Sequence, residues 1–286
     1  MTTVTCHHQE SNCPPNSCSS LLNGGGYQFQ DGSSNRIWQP DGCNIRYRNI
    51  QENVLCLKRM AASNHQQKTP LLAIVGDSRL RQLRDEFIYQ ITGNDTDDLA
   101  NPALFLDEDW RTLGSPCSMP DILVLGAGSH TAKDCEFANL KQKDCVAKYK
   151  REFEGLLPLL SQLPPSVVMI WMPQANVNQT SMDLRGNSFF KRGVNSANMV
   201  LYNNAIKEVL EKNPGHRLKY WGSFYTSSID FADGIDGIHL GIDSKHHMMQ
   251  LLMNWMCNYV DHDLESSHWP FSSIPERATY CCIDSC

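Results

Sequence analysis

Two short, unbroken apolar runs, each closed by a glycine, set the strongest limit on what this chain can fold into. Leu71-Leu72-Ala73-Ile74-Val75 ends at Gly76, and Asp121-Ile122-Leu123-Val124-Leu125 ends at Gly126. A strand with one wet face alternates apolar and polar residues, whereas a continuous run belongs to a strand covered on both faces. Helical periods lie between and beyond these runs. A helix is expected over Leu80–Ile91, and Val146, Tyr149, Phe153, Leu156, Leu157 and Leu160 share one helical face that Pro164-Pro165 stops. Ser166–Trp171 and Leu218–Trp221 read as further strands, and Ala103–Leu106 as a weaker one. Residues 196–212 read as a helix closed by Pro214-Gly215. A final helix over Ser244–Tyr259 carries a core-facing stripe of Met248, Leu251, Leu252, Trp255 and Met256. The alternation predicts an α/β fold, a parallel sheet with helices on both faces. In such sheets the site lies beyond the carboxyl ends of the strands.

Residues 1–66 break this pattern. They are rich in Cys, Ser, Asn and Gly, and are expected to form a loop-rich, disulfide-tied N-terminal layer packed on the α/β domain of residues 67–286. The twelve cysteines are scattered and do not form the paired C-x-x-C knuckles that zinc needs, and no other metal ligand set is apparent. Disulfides and a secretory compartment fit them better. The sequons Asn94-Asp95-Thr96 and Asn178-Gln179-Thr180 add modest weight. A net charge of -6 and the lack of a basic run argue against nucleic acid as a partner. No stretch approaches eighteen apolar residues, and the first residues carry no apolar signal core. An oxidised character without a signal leads to the expectation of a piece of a longer protein, whose other parts hold the targeting segment.

Three loops follow from the sheet rule. In Gly76-Asp77-Ser78-Arg79 the serine falls near a helix N-terminus, where backbone N–H groups and the helix dipole favour an oxyanion. A plain helix cap is the bland alternative. Asp77 is expected to brace the turn, and Arg79 either to meet an anionic substrate or to cap neighbouring carbonyls. In Asp236-Gly237-Ile238-His239, one short turn carries a base and its orienting carboxylate. In Gly126-Ala127-Gly128-Ser129-His130, Gly126 or Gly128 offers a second oxyanion N–H, or the loop is simply a helix entry. His130, His246 and His247 are rival bases, and Asp233 a rival orienter. Each motif alone is weak, but a Ser after the first strand with Asp-x-x-His before the last helix is a much more specific pair, and the order Ser, Asp, His fits an acyl-transfer enzyme.

These residues resemble those of the GDSL/SGNH hydrolase superfamily. Within it, the chain resembles the luminal domain of the sialate O-acetyltransferase family, in the PC-esterase branch. The blocks are Cys18-x-x-Leu21-Leu22, Trp38-Gln39-Pro40-Asp41-Gly42-Cys43, Gly76-Asp77-Ser78-Arg79-x-Arg81-Gln82-Leu83, Leu125-Gly126-Ala127, Asp236-Gly237-Ile238-His239-Leu240, and Met253-x-x-x-Cys257-Asn258 with Cys281-Cys282. The resemblance implies a three-layer, flavodoxin-like sheet. It makes Ser78 the nucleophile, His239 the base and Asp236 its orienter. It also implies acetyl-CoA as donor, a sialic acid hydroxyl on CMP-sialic acid as acceptor, a link to a membrane only through segments outside this chain, and a Golgi-lumenal setting, with secretion the alternative. The His and Asp residues are too dispersed for a metal ligand set. The third loop lacks the asparagine of the superfamily's G-x-N-D block, which favours the N–H groups of Ser78 and Gly126 as oxyanion donors over Gly128. Two other functions remain: a carbohydrate acetylesterase using the same triad, and an inactive glycan-binding protein.

Overall fold

The computed structural model describes residues 19–29, 36–40, 45–63, 71–94, 120–184, 192–229, 234 and 236–261. Four parallel strands form the central sheet: β3 (Leu72–Gly76), β4 (Ile122–Gly126), β5 (Val168–Trp171) and β6 (Leu218–Tyr220), in that spatial order. Gly76 pairs with Gly126 in the β3–β4 register, so both strand ends lie side by side. The expected strand at Ala103–Leu106 lies outside the described residues.

The unbroken apolar runs are explained by two cores. Successive strand residues point to opposite faces. Ile122 and Val124 join one core with α3 (Ser78–Thr92) and α9 (Ile242–Asp261). Leu123 and Leu125 join the other with α4 (Ser129–Phe137), α5 (Gln142–Ser161) and α7 (Ser196–Lys212). The result is helix, sheet, helix, an α/β arrangement that fits a three-layer SGNH-like fold.

The N-terminal region is more regular than expected. A short helix α1 (Ser19–Asn23) precedes an antiparallel pair, β1 (Gly25–Phe29) with β2 (Arg36–Pro40), and a 14-residue helix α2 (Ile50–Ser63) follows. Asn49 and Glu52 cap α2 reciprocally: each side chain accepts the other's backbone N–H, at 3.0 and 2.9 Å. α2 packs on α3 and α9, and Cys56 is bonded to Cys257 of α9. The second disulfide, Cys135–Cys145, closes the local loop between α4 and α5 that the spacing anticipates. Two short helices complete the described elements, α6 (Gln179–Leu184) and α8 (Gly222–Ser228).

Candidate active site

The turn after β3 is built for close approach. A Cβ on Gly76 would fall 2.0 Å from the Gly126 carbonyl oxygen and 2.3 Å from Leu80 Cδ1, so no side chain fits. Asp77 is the extended N-cap of α3, and its Oδ1 accepts the Arg79 N–H at 3.1 Å. Its Oδ2 accepts the Ser129 hydroxyl at 2.7 Å, tying the serine turn to the loop after β4. Asp77 therefore braces the turn. Ser78 is the first residue of α3, a position whose N–H has no intrahelical acceptor.

The structure brings Ser78 together with His239 and Asp236, which lie 161 and 158 residues further along the chain. Ser78 Oγ lies 2.7 Å from His239 Nε2, and His239 Nδ1 lies 2.5 Å from Asp236 Oδ2. With Nδ1–H donating to the carboxylate, Nε2 is the acceptor that faces the serine. Asp236 Oδ1 also accepts the N–H groups of Ile238 and His239, at 2.9 and 2.8 Å. Burial opposes ionisation of Asp236, but these hydrogen bonds and the His239 ring together hold its pKa below the ordinary value. Gly237 makes the turn possible: its φ is +79°, and a Cβ there would fall 2.2 Å from Asn178 O.

The helix that carries the serine also holds the histidine loop. Arg79 Nε donates to the Ile238 carbonyl at 2.9 Å. Gln82, one turn on, grips Leu240 twice: Nε2 donates to its carbonyl at 2.9 Å and Oε1 accepts its N–H at 3.0 Å. Arg79 is 0% exposed, and its NH1 reaches Gln174 Oε1 and the Ala175 carbonyl. Burial lowers its pKa, and Asp77 and Asp236 push the other way. Of the two roles expected for Arg79, these contacts describe carbonyl capping. The polar supports at Gln82 and Gln174 were not singled out from sequence. Gln82 falls within a quoted motif, but a lone Gln174 has no spacing signal.

Gly126 is buried at the end of β4, and Gly128 precedes α4 with φ +146°. The Ala127 carbonyl between them accepts the Tyr149 hydroxyl, whose pKa burial raises. His130 is exposed on α4. His246 faces Glu86 and Gln90 of α3, and His247 is buried against Tyr47, so neither is the base next to Ser78. Asp233 lies outside the described residues. A cavity of about 530 Å³ opens by Asn53, Tyr89, Gln90 and His246, and none of the three central residues lines it. Among the described residues no group of three His, Cys, Asp or Glu is arranged to hold a metal, and no helix is long and apolar enough to cross a membrane. Of the sequons, Asn94 is exposed, while Asn178 accepts the Ser181 N–H at the start of α6.

No family model matches the chain. The chain is 23% identical over 274 residues to the N-acetylneuraminate (7)9-O-acetyltransferase of Danio rerio, matched over 87% of this chain and 32% of that protein. It therefore spans about a third of its relative's length. A solved crystal structure matches at 15% identity over 51% of this chain and 60% of its own, with a TM-score of 0.33, too low to carry an argument. That likeness is distant, and it lends only weak support to the family that the sequence motifs resemble.

Proposed function

We propose that the chain is the catalytic unit of an O-acetyltransferase that moves acetyl from acetyl-CoA to a sialic acid hydroxyl, with CMP-sialic acid as acceptor. The observation that carries this reading is the hydrogen-bonded series Ser78 Oγ, His239 Nε2, His239 Nδ1, Asp236 Oδ2. The name of the distant relative supports the acetyl group and the sugar.

Neutral His239 takes the Ser78 proton as Oγ attacks the thioester carbonyl. The N–H groups of Ser78 and Gly126, with Gly128 as a further donor, receive the negative charge that develops on the carbonyl oxygen. The carbon–sulfur bond breaks, the coenzyme leaves as thiolate and takes the proton from His239, and acetyl-Ser78 remains. His239 next removes the proton of the acceptor hydroxyl, which attacks the acetyl group and regenerates Ser78. Asp236 holds the ring in the needed tautomer and stabilises it when protonated. In this reading residues 67–286 form the catalytic domain and residues 1–66 pack on it. The disulfides support an oxidising compartment, for which we propose the Golgi lumen.

A second reading has one observation in its favour. The His239 side chain is 40% exposed, which leaves a path for water, and water in place of the sugar makes the same residues an acetylesterase. Labelled acetyl-CoA supplied with CMP-sialic acid separates the two. Labelled sugar is the expected product. Free labelled acetate alone supports the esterase, and neither product from active-site-intact protein overturns both.

A further inference from the structure

We infer that Gln174 is a positioning residue for His239, acting through Arg79; this rests on reading Ser78 and His239 as nucleophile and base. Gln174 is 1% exposed in the segment after β5. Asn203 of α7 fixes its backbone from both sides, accepting its N–H at 2.8 Å and donating to its carbonyl at 2.9 Å. From that fixed point its Oε1 accepts from Arg79 NH1 at 3.3 Å. Arg79 Nε then donates to the Ile238 carbonyl, whose peptide group carries the His239 N–H bound to Asp236. The peptide joining Ile238 to His239 is thus gripped at its oxygen by Arg79 and at its hydrogen by Asp236. Rotation of that plane would carry the imidazole away from Ser78.

The Gln174 carboxamide packs against Gly128, where an added Cβ would come within 3.1 Å of its Cγ, Cδ and Nε2. Its Nε2 and the Arg79 NH2 are buried without an acceptor among the described residues. An apolar side chain of the same volume would remove the orphaned Nε2, but it would also take the oxygen from Arg79 NH1, which would keep the longer bond to the Ala175 carbonyl at 3.4 Å. What an apolar residue lacks is the oxygen that aims the Arg79 fork.

The test is the rate at which a fluorophosphonate labels Ser78, a readout that needs an activated serine but no acetyl donor or sugar. Gln174→Met keeps the length and removes the acceptor. Its labelling is expected to slow about 10–100-fold, the scale of a displacement near 1 Å at a reacting group. Gln174→Glu fills nearly the same volume as Gln174→Met but restores the acceptor, and it should return the rate to within about threefold of wild type. Wild-type rates for Gln174→Met, or a Gln174→Glu as slow as Gln174→Met, overturn the inference alone. A wild type that labels no faster than Ser78→Ala overturns the nucleophile reading and this inference with it. If Gln174→Met does not fold, Arg79→Lys, which keeps the charge and loses the fork, is expected to slow labelling equally, and an unchanged rate overturns the inference.

Discussion

Arg79, one residue past the serine, donates from Nε to the carbonyl of Ile238, one residue before the histidine, at 2.9 Å. The nucleophile turn and the base turn are therefore fastened to each other next to the reacting atoms, not only through the sheet. Gln82 adds a second fastening one turn along α3. Four properties of the molecule follow from this arrangement and its supports.

Asp236→Asn separates orientation from charge. An asparagine oxygen still accepts the N–H groups of Ile238 and His239, so the turn is kept. Its amide nitrogen then faces His239 Nδ1, which must accept, and the ring proton moves to Nε2, toward Ser78. Turnover is expected to fall by about 10,000-fold, with the melting temperature nearly unchanged. Steady-state kinetics and a thermal melt check this, and a loss smaller than about tenfold would contradict the tautomer argument.

Gly237→Ala tests the turn itself. Its positive φ and the 2.2 Å approach of an added Cβ to Asn178 O leave no relaxed solution. The Asp236–His239 segment must shift, so acyl transfer should drop at least about tenfold. Alanine at exposed Gly155, where an added Cβ meets nothing within 4 Å, should leave activity intact. Equal activities of the two variants would refute the requirement.

The two disulfides among the described residues should differ in worth. Cys56–Cys257 spans 201 residues and Cys135–Cys145 spans 10. On loop-closure entropy, removing the first costs about 5 kcal/mol and the second about 3 kcal/mol. Urea unfolding of the two paired Cys→Ser variants ranks them, and the reverse order would contradict the account.

His247 gives the fold an acid-sensitive component. It is 4% exposed, 2.7 Å from the Tyr47 hydroxyl and edge-on to Trp38. Burial first, and the neighbouring His246 second, lower its pKa from 6.5 to about 4. Between those values the unfolded chain binds a proton that the folded chain refuses. Stability is therefore full above about pH 6.5 and falls on acidification toward pH 4, by about 3 kcal/mol from this group. His247→Phe should flatten that part of the profile. Urea midpoints at pH 7 and pH 4.5 decide it, and an unaltered slope would show that other groups govern.

The sheet was legible because its signal is local and strong, and Ser78, Asp236 and His239 were legible as candidates because two weak motifs occur together. Continuous apolar runs fix strands that need two covered faces, and Gly76 and Gly126 at the ends of β3 and β4 mark where the chain turns toward the site. The Asp-x-x-His spacing places both side chains on one turn. α2 was not legible because its inward side carries Asn53, which donates to the Gln90 carbonyl, in place of an apolar residue. The reciprocal Asn49 and Glu52 cap was the sign available. The β1–β2 pair hides behind Gly25, Gly26 and Pro40, residues that strands disfavour. Gly25 is there because an added Cβ would fall 2.2 Å from Gln39 O. Gln174 carries no periodic signal, since its meaning comes from Arg79, 95 residues away in the chain.

The most direct measurement is acetyl transfer from labelled acetyl-CoA to CMP-sialic acid by the wild-type chain and by Ser78→Ala, with both shown to be folded. The account predicts labelled sugar from the wild type, a labelled acetyl group on Ser78 when acceptor is withheld, and neither from Ser78→Ala. Undiminished transfer by Ser78→Ala would contradict it.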